Sequence, residues 1–109
     1  MSETPAHRRA KRRAAGPGGR TEVPLRGKQR LDALSKGGGR ATEVERSGSS
    51  AGLNSAAQRL KKSGAPGKVL QVPQKDMGGA VKAMRKAGIG GTVKNMGGTK
   101  HWRVRPSKK

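Results

Sequence analysis

Apolar residues are sparse along this chain, but their spacing divides it into elements. Thr21-Glu22-Val23-Pro24-Leu25 reads as a short strand, and Pro24 confines it to a sheet edge. Gln29 to Leu34 and Arg40 to Arg46 are two further strands. Ser35-Lys36-Gly37-Gly38-Gly39 between them is a turn, which predicts a β-hairpin. The period then changes. Leu53, Ala56, Ala57 and Leu60 fall at i, i+3, i+4 and i+7, one face of a helix. Ser47-Gly48-Ser49-Ser50 offers its N-cap, and Gly64 followed by Pro66 stops it. Lys68 to Val72 is a compact strand ended by Pro73. Asp76 is placed to cap a second helix with Ala80, Val81, Met84 and Ala87 on its apolar face, and Gly88 ends it. Ile89 to Asn95 and His101 to Arg105 are the last strands, joined around Gly97-Gly98. Three strands, a helix, a strand, a helix and two strands predict an α/β fold: a small mixed sheet flanked by two helices. Leu53, Leu60, Val69, Leu70, Val72, Val81 and Met84 are its expected core.

Composition narrows the picture. The 109 residues suit one small domain, drawn over 20–105, with a basic tail at 106–109. Hydrophobic residues are 29% of the chain, with one Trp and no Phe or Tyr, so the core is thin. No Cys is present, which excludes disulfides and thiolate metal sites. Residues 1–19 read as a flexible basic arm. They hold Arg8, Arg9, Lys11, Arg12 and Arg13, show no apolar stripe over a short helix at Pro5–Ala15, and end in Gly16-Pro17-Gly18-Gly19.

Charge decides the partner class. Twenty-six Lys and Arg against six Asp and Glu leave a formal charge of +20. Such a chain repels itself unless a polyanion neutralises it, and nucleic acid is the commonest polyanion in a cell. No apolar run approaches a membrane span, and no h-region opens the chain, so the cytoplasm is the expected location. DNA is the expected partner, with RNA not excluded. The expected contacts are the arm cations and Arg30, Lys62, Lys100, Trp102 and Arg103. His101-Trp102 offers a base-stacking platform, although a lone Trp near a C-terminal strand is more often core.

The acids are the informative exception. Four of the six, Glu22, Asp32, Glu43 and Glu45, lie between positions 22 and 45. A hairpin turn centred near Gly37-Gly38 puts Asp32 opposite Glu43 and Arg30 opposite Glu45, all four on one face. Opposed like charges destabilise a sheet, and a divalent cation between them reverses the sign. Mg²⁺ held by Asp32 and Glu43 in a basic groove is the arrangement that metal-assisted phosphodiester hydrolysis requires. The plainer alternative is surface ion pairing of Glu45 with Arg30 or Arg46, and of Glu43 with Lys28, which contributes little.

Thr21-Glu22-Val23-Pro24, then Arg30-Leu31-Asp32-Ala33-Leu34, then Ala41-Thr42-Glu43-Val44-Glu45-Arg46-Ser47-Gly48, resembles the PD-(D/E)XK nuclease superfamily, which includes restriction endonucleases and archaeal Holliday junction resolvases. The resemblance spans about residues 20–95. Members place an Asp on one strand and Glu-x-Lys on the next, followed by a helix and a strand. It implies a restriction endonuclease-like fold and an endonuclease using Mg²⁺ or Mn²⁺ on DNA, branched or structured DNA among the targets. Asp32 and Glu43 would hold the metal, Glu45 would hold metal or position water, and Glu22 would be an accessory acid. The family lysine falls at Glu45, so its role passes to Lys61 or Lys62 on the following helix. Members usually act as dimers, which leaves a homodimer open. The rival reading is a non-catalytic DNA- or RNA-binding protein on the same fold.

Overall fold

The computed structural model describes residues 4–106. Its elements are helix α1 (Pro5–Ala15), strands β1 (Arg20–Pro24), β2 (Arg30–Leu34) and β3 (Arg40–Val44), helix α2 (Ser50–Ser63), strand β4 (Gly67–Val72), helix α3 (Met77–Ala87), and strands β5 (Gly91–Asn95) and β6 (His101–Val104). All six strands form one sheet in chain order. β1, β2 and β3 run antiparallel, β3, β4 and β5 run parallel, and β6 returns antiparallel to β5. The sequence order of strands and helices from β1 onward is the expected one.

Parallel strands need long crossovers, and α2 and α3 supply them. The two helices pack on each other and on one face of the sheet, α2 over β2 to β4 and α3 over β4 to β6. Ser49 caps α2 by accepting the Gly52 N–H at 3.0 Å, and Gly64 ends it in the left-handed conformation. Leu53, Leu60, Leu70, Val72 and Met84 are buried together beneath the helices, while Val81 is partly buried against them. Val69 is only half-buried, because its side chain points to the opposite face from Leu70. Burial of each such leucine contributes about 1.5–3 kcal/mol, and these few positions supply most of a thin core.

Three expectations need correction. The first concerns the arm. Described from Thr4 onward, it is a helix docked on the sheet face opposite α2 and α3, packed against β1, β2 and β3. The flanking helices are therefore three. Thr4 accepts the His7 N–H at 3.1 Å and Pro5 opens the first turn, so the start is well specified. Ala10, Ala14 and Ala15 are buried, the last two against Ala33. His7, Ala10, Lys11 and Ala14 fall at i, i+3, i+4 and i+7, and the alanines of this stripe let helix and strand approach closely. Second, Asp76 occupies the N-cap position of α3, yet its side chain makes no cap hydrogen bond. Its carboxylate lies against Gly48, where an added Cβ would come within 2.8 Å of both oxygens. Third, Trp102 is not core: it stands on edge strand β6 and is 48% exposed. Among the described residues no helix is long and apolar enough to cross a membrane.

Candidate functional site

The site lies where β1, β2 and β3 meet the N-terminal half of α1. Thr21 pairs with Ala33 and Val23 with Leu31, which sets Glu22 level with Asp32. Ala33 pairs with Thr42 and Leu34 with Ala41, the expected hairpin register, whose next step sets Asp32 level with Glu43. Three carboxylates on three adjacent strands thus stand in one row. Glu22 holds a left-handed φ of +54°, a conformation that strains a residue with a side chain by about 1–3 kcal/mol. This turns it out of the β1–β2 ladder.

The β2–β3 ladder stops at this row. Beyond Ala33 and Thr42 the carboxylates take over as acceptors. Glu43 Oε2 accepts the Asp32 N–H at 2.8 Å, and Asp32 Oδ2 accepts the Val44 N–H at 2.7 Å. Each acid is held by the backbone of the other's strand, so the gap between the strands fixes both groups. The expected sharing of one sheet face is not met. Asp32 meets α1, where Lys11 Nζ lies 3.6 Å from its Oδ1 and His7 Nε2 lies 3.8 Å from its Oδ2. Glu43 meets α2, where Arg59 Nε donates to its Oε1 at 2.7 Å. Lys11 also ion-pairs with Glu22. The carboxylates meet in the gap between the strands, flanked by cations above and below.

Burial sets the electrostatics. Glu43 is 1% exposed. Desolvation, and then the charge of Asp32, push its carboxyl up to about 7, against the pull of Arg59 and the Asp32 amide. Burial also raises Asp32, opposed by the Val44 N–H and by Lys11, His7 and Arg59. Two carboxylates that discourage each other's ionisation are a group for which a proton or a divalent cation is a natural occupant. Among the described residues no three His, Cys, Asp or Glu side chains form a ready metal cage. Mg²⁺ needs only one or two carboxylates, its other ligands being waters and phosphate oxygens, and Asp32 and Glu43 are hard oxygen donors of that kind, their oxygens here facing the Asp32 and Val44 amides, Lys11 and Arg59.

The other expected residues lie apart. β3 ends at Val44, so no ladder brings Arg30 opposite Glu45; Arg30 pairs with Pro24 and is exposed. Glu45 accepts from the Ser47 N–H at 3.2 Å and the Ser47 hydroxyl at 2.6 Å, and so braces the loop that starts α2. Lys61 is exposed, and Lys62 donates to Gln29 Oε1 at 2.6 Å. The cations that reach the acids are Lys11, expected only as an arm contact, and Arg59, to which no sequence pattern points. Lys11 does carry a signal: it is the lone Lys in a run of Arg, on the alanine stripe of α1. Arg59 directly precedes Leu60 on α2, and nothing local marks it. No family model, curated protein or solved structure matches this chain.

Proposed function

We propose that this chain is a nucleic-acid-binding protein that cleaves phosphodiester bonds with Mg²⁺ or Mn²⁺ held by Asp32 and Glu43, in the manner of the PD-(D/E)XK nucleases it resembles. The observation that carries the reading is the pair of carboxylates, Glu43 buried and Asp32 partly buried, level with each other across β2 and β3. In a protein of charge +20, two mutually repelling acids drawn out of water are unfavourable to folding, and perturbed carboxylates of this kind concentrate at functional sites. The succession that the resemblance implies agrees with it: Asp on β2, Glu on β3, then α2, β4 and α3.

A bound divalent cation would polarise the phosphate and lower the pKa of an attacking water. The chain's own residues do the remaining work. Backbone amides of Asp32 and Val44 orient the two carboxylates. Lys11 is the ammonium placed beside Asp32, and so replaces Lys61 as the group to neutralise charge developing on the phosphate. Arg59 holds Glu43 in place from beneath. DNA is the proposed substrate class, with branched DNA and structured RNA as comparators.

A second reading has its own observation: Lys11 and Arg59 already neutralise the acids, as in a binding protein that has lost catalysis. One experiment separates the two. Linear duplex, single-stranded and four-way-junction DNA, and structured RNA, are incubated with the protein in Mg²⁺ and in Mn²⁺. Cleavage is expected, with Asp32→Asn lowering it at least a hundredfold while duplex binding persists. Mg²⁺ is expected to raise the Tm of the wild-type chain and not of the variant, since it binds the folded state. No cleavage together with no Mg²⁺ effect on Tm selects the binding-only reading.

A further inference from the structure

We propose that the open face of β4, β5 and β6, beside the C-terminal turn of α1, is a surface that tracks the phosphate backbone of a nucleic-acid duplex through Arg13, Arg40, Lys94 and Arg103. The proposal rests on the nucleic-acid-binding half of the proposed function and not on its cleavage chemistry.

The sheet is covered unequally. α2 and α3 cover one face across β2 to β6. On the other face α1 packs mainly against β1, β2 and β3, and its Ala6, Arg9, Ala10 and Arg13 reach the Met96 end of β5. The strand registers define what the uncovered part presents. Thr42, Val69, Thr92 and Arg103 form one row across β3 to β6, and Val44, Gln71, Lys94 and His101 form the next. The alternate rows carry Leu70, Val93 and Val104 into the core beneath the helices. Thr42, Val44 and Gln71 are buried at the α1 side of these rows, and the side chains left accessible toward β6 are Val69, Thr92, Lys94, His101 and Arg103.

Arg40 opens β3 at the border of this face and reaches the α1 carbonyl of Ala14 at 3.5 Å. Arg13 lies in the same last turn of α1. At one end the face opens into a cavity of about 640 Å³ whose lining includes Arg40, Lys68, Arg103 and Arg105 and no carboxylate. No Asp or Glu occurs on β4, β5 or β6, and none after position 76. The described acids lie in the β1–β2–β3 row, at the start of α2 or ahead of α3. Among the described residues, no acid pairs with these cations as acids do with Lys11 and Arg59. Lys94 shows the consequence: burial, then the charges of Arg40 and Arg13, lower its affinity for a proton. A phosphate beside it supplies the negative charge that offsets those of Arg40 and Arg13.

The face also selects among nucleic acids. Trp102 is the sole Phe, Tyr or Trp of the chain, and its register with Val93 directs it to the helix-covered side. His101 is the one ring on the open rows, so the face offers no run of aromatic side chains for splayed bases to stack on, which is how single strands are usually held. Strands stand about 4.8 Å apart, so three of them offer a floor roughly 10 Å across, bounded on one side by α1. That shape and charge suit a duplex backbone, contacted without regard to base sequence.

The test compares two triple variants with the same change in net charge. Arg40→Gln, Lys94→Gln and Arg103→Gln remove the three cations that the strands contribute to the face and leave Arg13 of α1. Lys61→Gln, Lys82→Gln and Lys86→Gln remove exposed charges from α2 and α3. Binding to a short DNA duplex and to the same single strand is measured across a range of salt. The face variant is expected to bind duplex at least tenfold more weakly than the control, with a log–log salt slope shallower by about 3, near 0.9 for each phosphate no longer neutralised. If the face variant melts below the assay temperature, Lys94→Gln alone serves, with a slope shallower by about 1. Equal weakening in the two triple variants, or preference of the wild-type chain for the single strand, overturns the surface and leaves nucleic-acid binding standing. A wild-type chain that binds no duplex at all overturns both.

Discussion

At the scale of single residues, the two carboxylates give the protein a testable pH signature. Glu43 titrates near 4.5 in an unfolded chain and near 7 here, because burial and Asp32 favour its protonated form. A carboxyl whose pKa is raised by folding binds more protons in the native state. Its stabilising contribution is full below about 4.5 and is lost as pH climbs through 7. Asp32 is shifted in the same direction. The wild-type Tm, compared with that of Glu43→Gln, is expected to fall between pH 5 and 7, by on the order of 3 kcal/mol in stability. Scanning calorimetry of both proteins measures it, and Mg²⁺ should diminish the fall. A difference that stays flat with pH would mean that Arg59 keeps Glu43 ionised throughout. The pairing of Asp32 with Glu43 is legible in the sequence, because the Gly-rich turn fixes an antiparallel register and two acids sit at matching offsets from it. Their cations are not legible. Lys11 and Arg59 reach the row only through the docking of α1 and α2, and docking leaves no local spacing to read.

At the scale of elements, the strand and helix succession can be read because each apolar run has its own period and its own Gly or Pro stop. The short helix at Pro5–Ala15 is read with the observed bounds, but its docking escapes, because its buried face is made of alanines and Lys11, which carry little hydrophobic signal in an Arg-rich segment. Close approach replaces bulk there: Ala14, Ala15 and Ala33 leave no room between helix and sheet. Gly19 is packed as tightly, since a Cβ on it would lie 2.1 Å from the Ala15 carbonyl oxygen. Enlarging this contact should therefore be unfavourable. Ala33→Leu is expected to destabilise the fold by about 1–3 kcal/mol, read from chemical denaturation. Since Ala33 adjoins Asp32, the same variant should also weaken the Mg²⁺ effect on Tm. An unchanged midpoint would return residues 5–15 to the role of a detachable arm, and would detach Lys11 from the site with it.

At the scale of the whole molecule, charge is sorted and not merely abundant. The acids of the site lie between the strands, each matched by a cation from a helix, while the surplus of positive charge lies on the outer side of α1, on the exposed sides of α2 and α3, and over the open half of the sheet. A net charge of +20 on 109 residues strains the folded state by self-repulsion, and a polyanion relieves it. Binding and stability are therefore linked. Duplex affinity is expected to fall linearly in log–log terms with salt, with a slope steeper than about −4, because each phosphate contacted releases about 0.9 counterion. The Tm should rise when duplex is added at low salt and lose that rise as salt increases, since the ligand stabilises only by the binding that salt removes. Asp32→Asn discriminates within this scheme. It takes one negative charge from a protein whose partner is a polyanion, so the variant should bind duplex as well as or better than wild type while losing the response to Mg²⁺. Affinity and Tm that ignore salt would show that the positive charge serves something other than a polyanion.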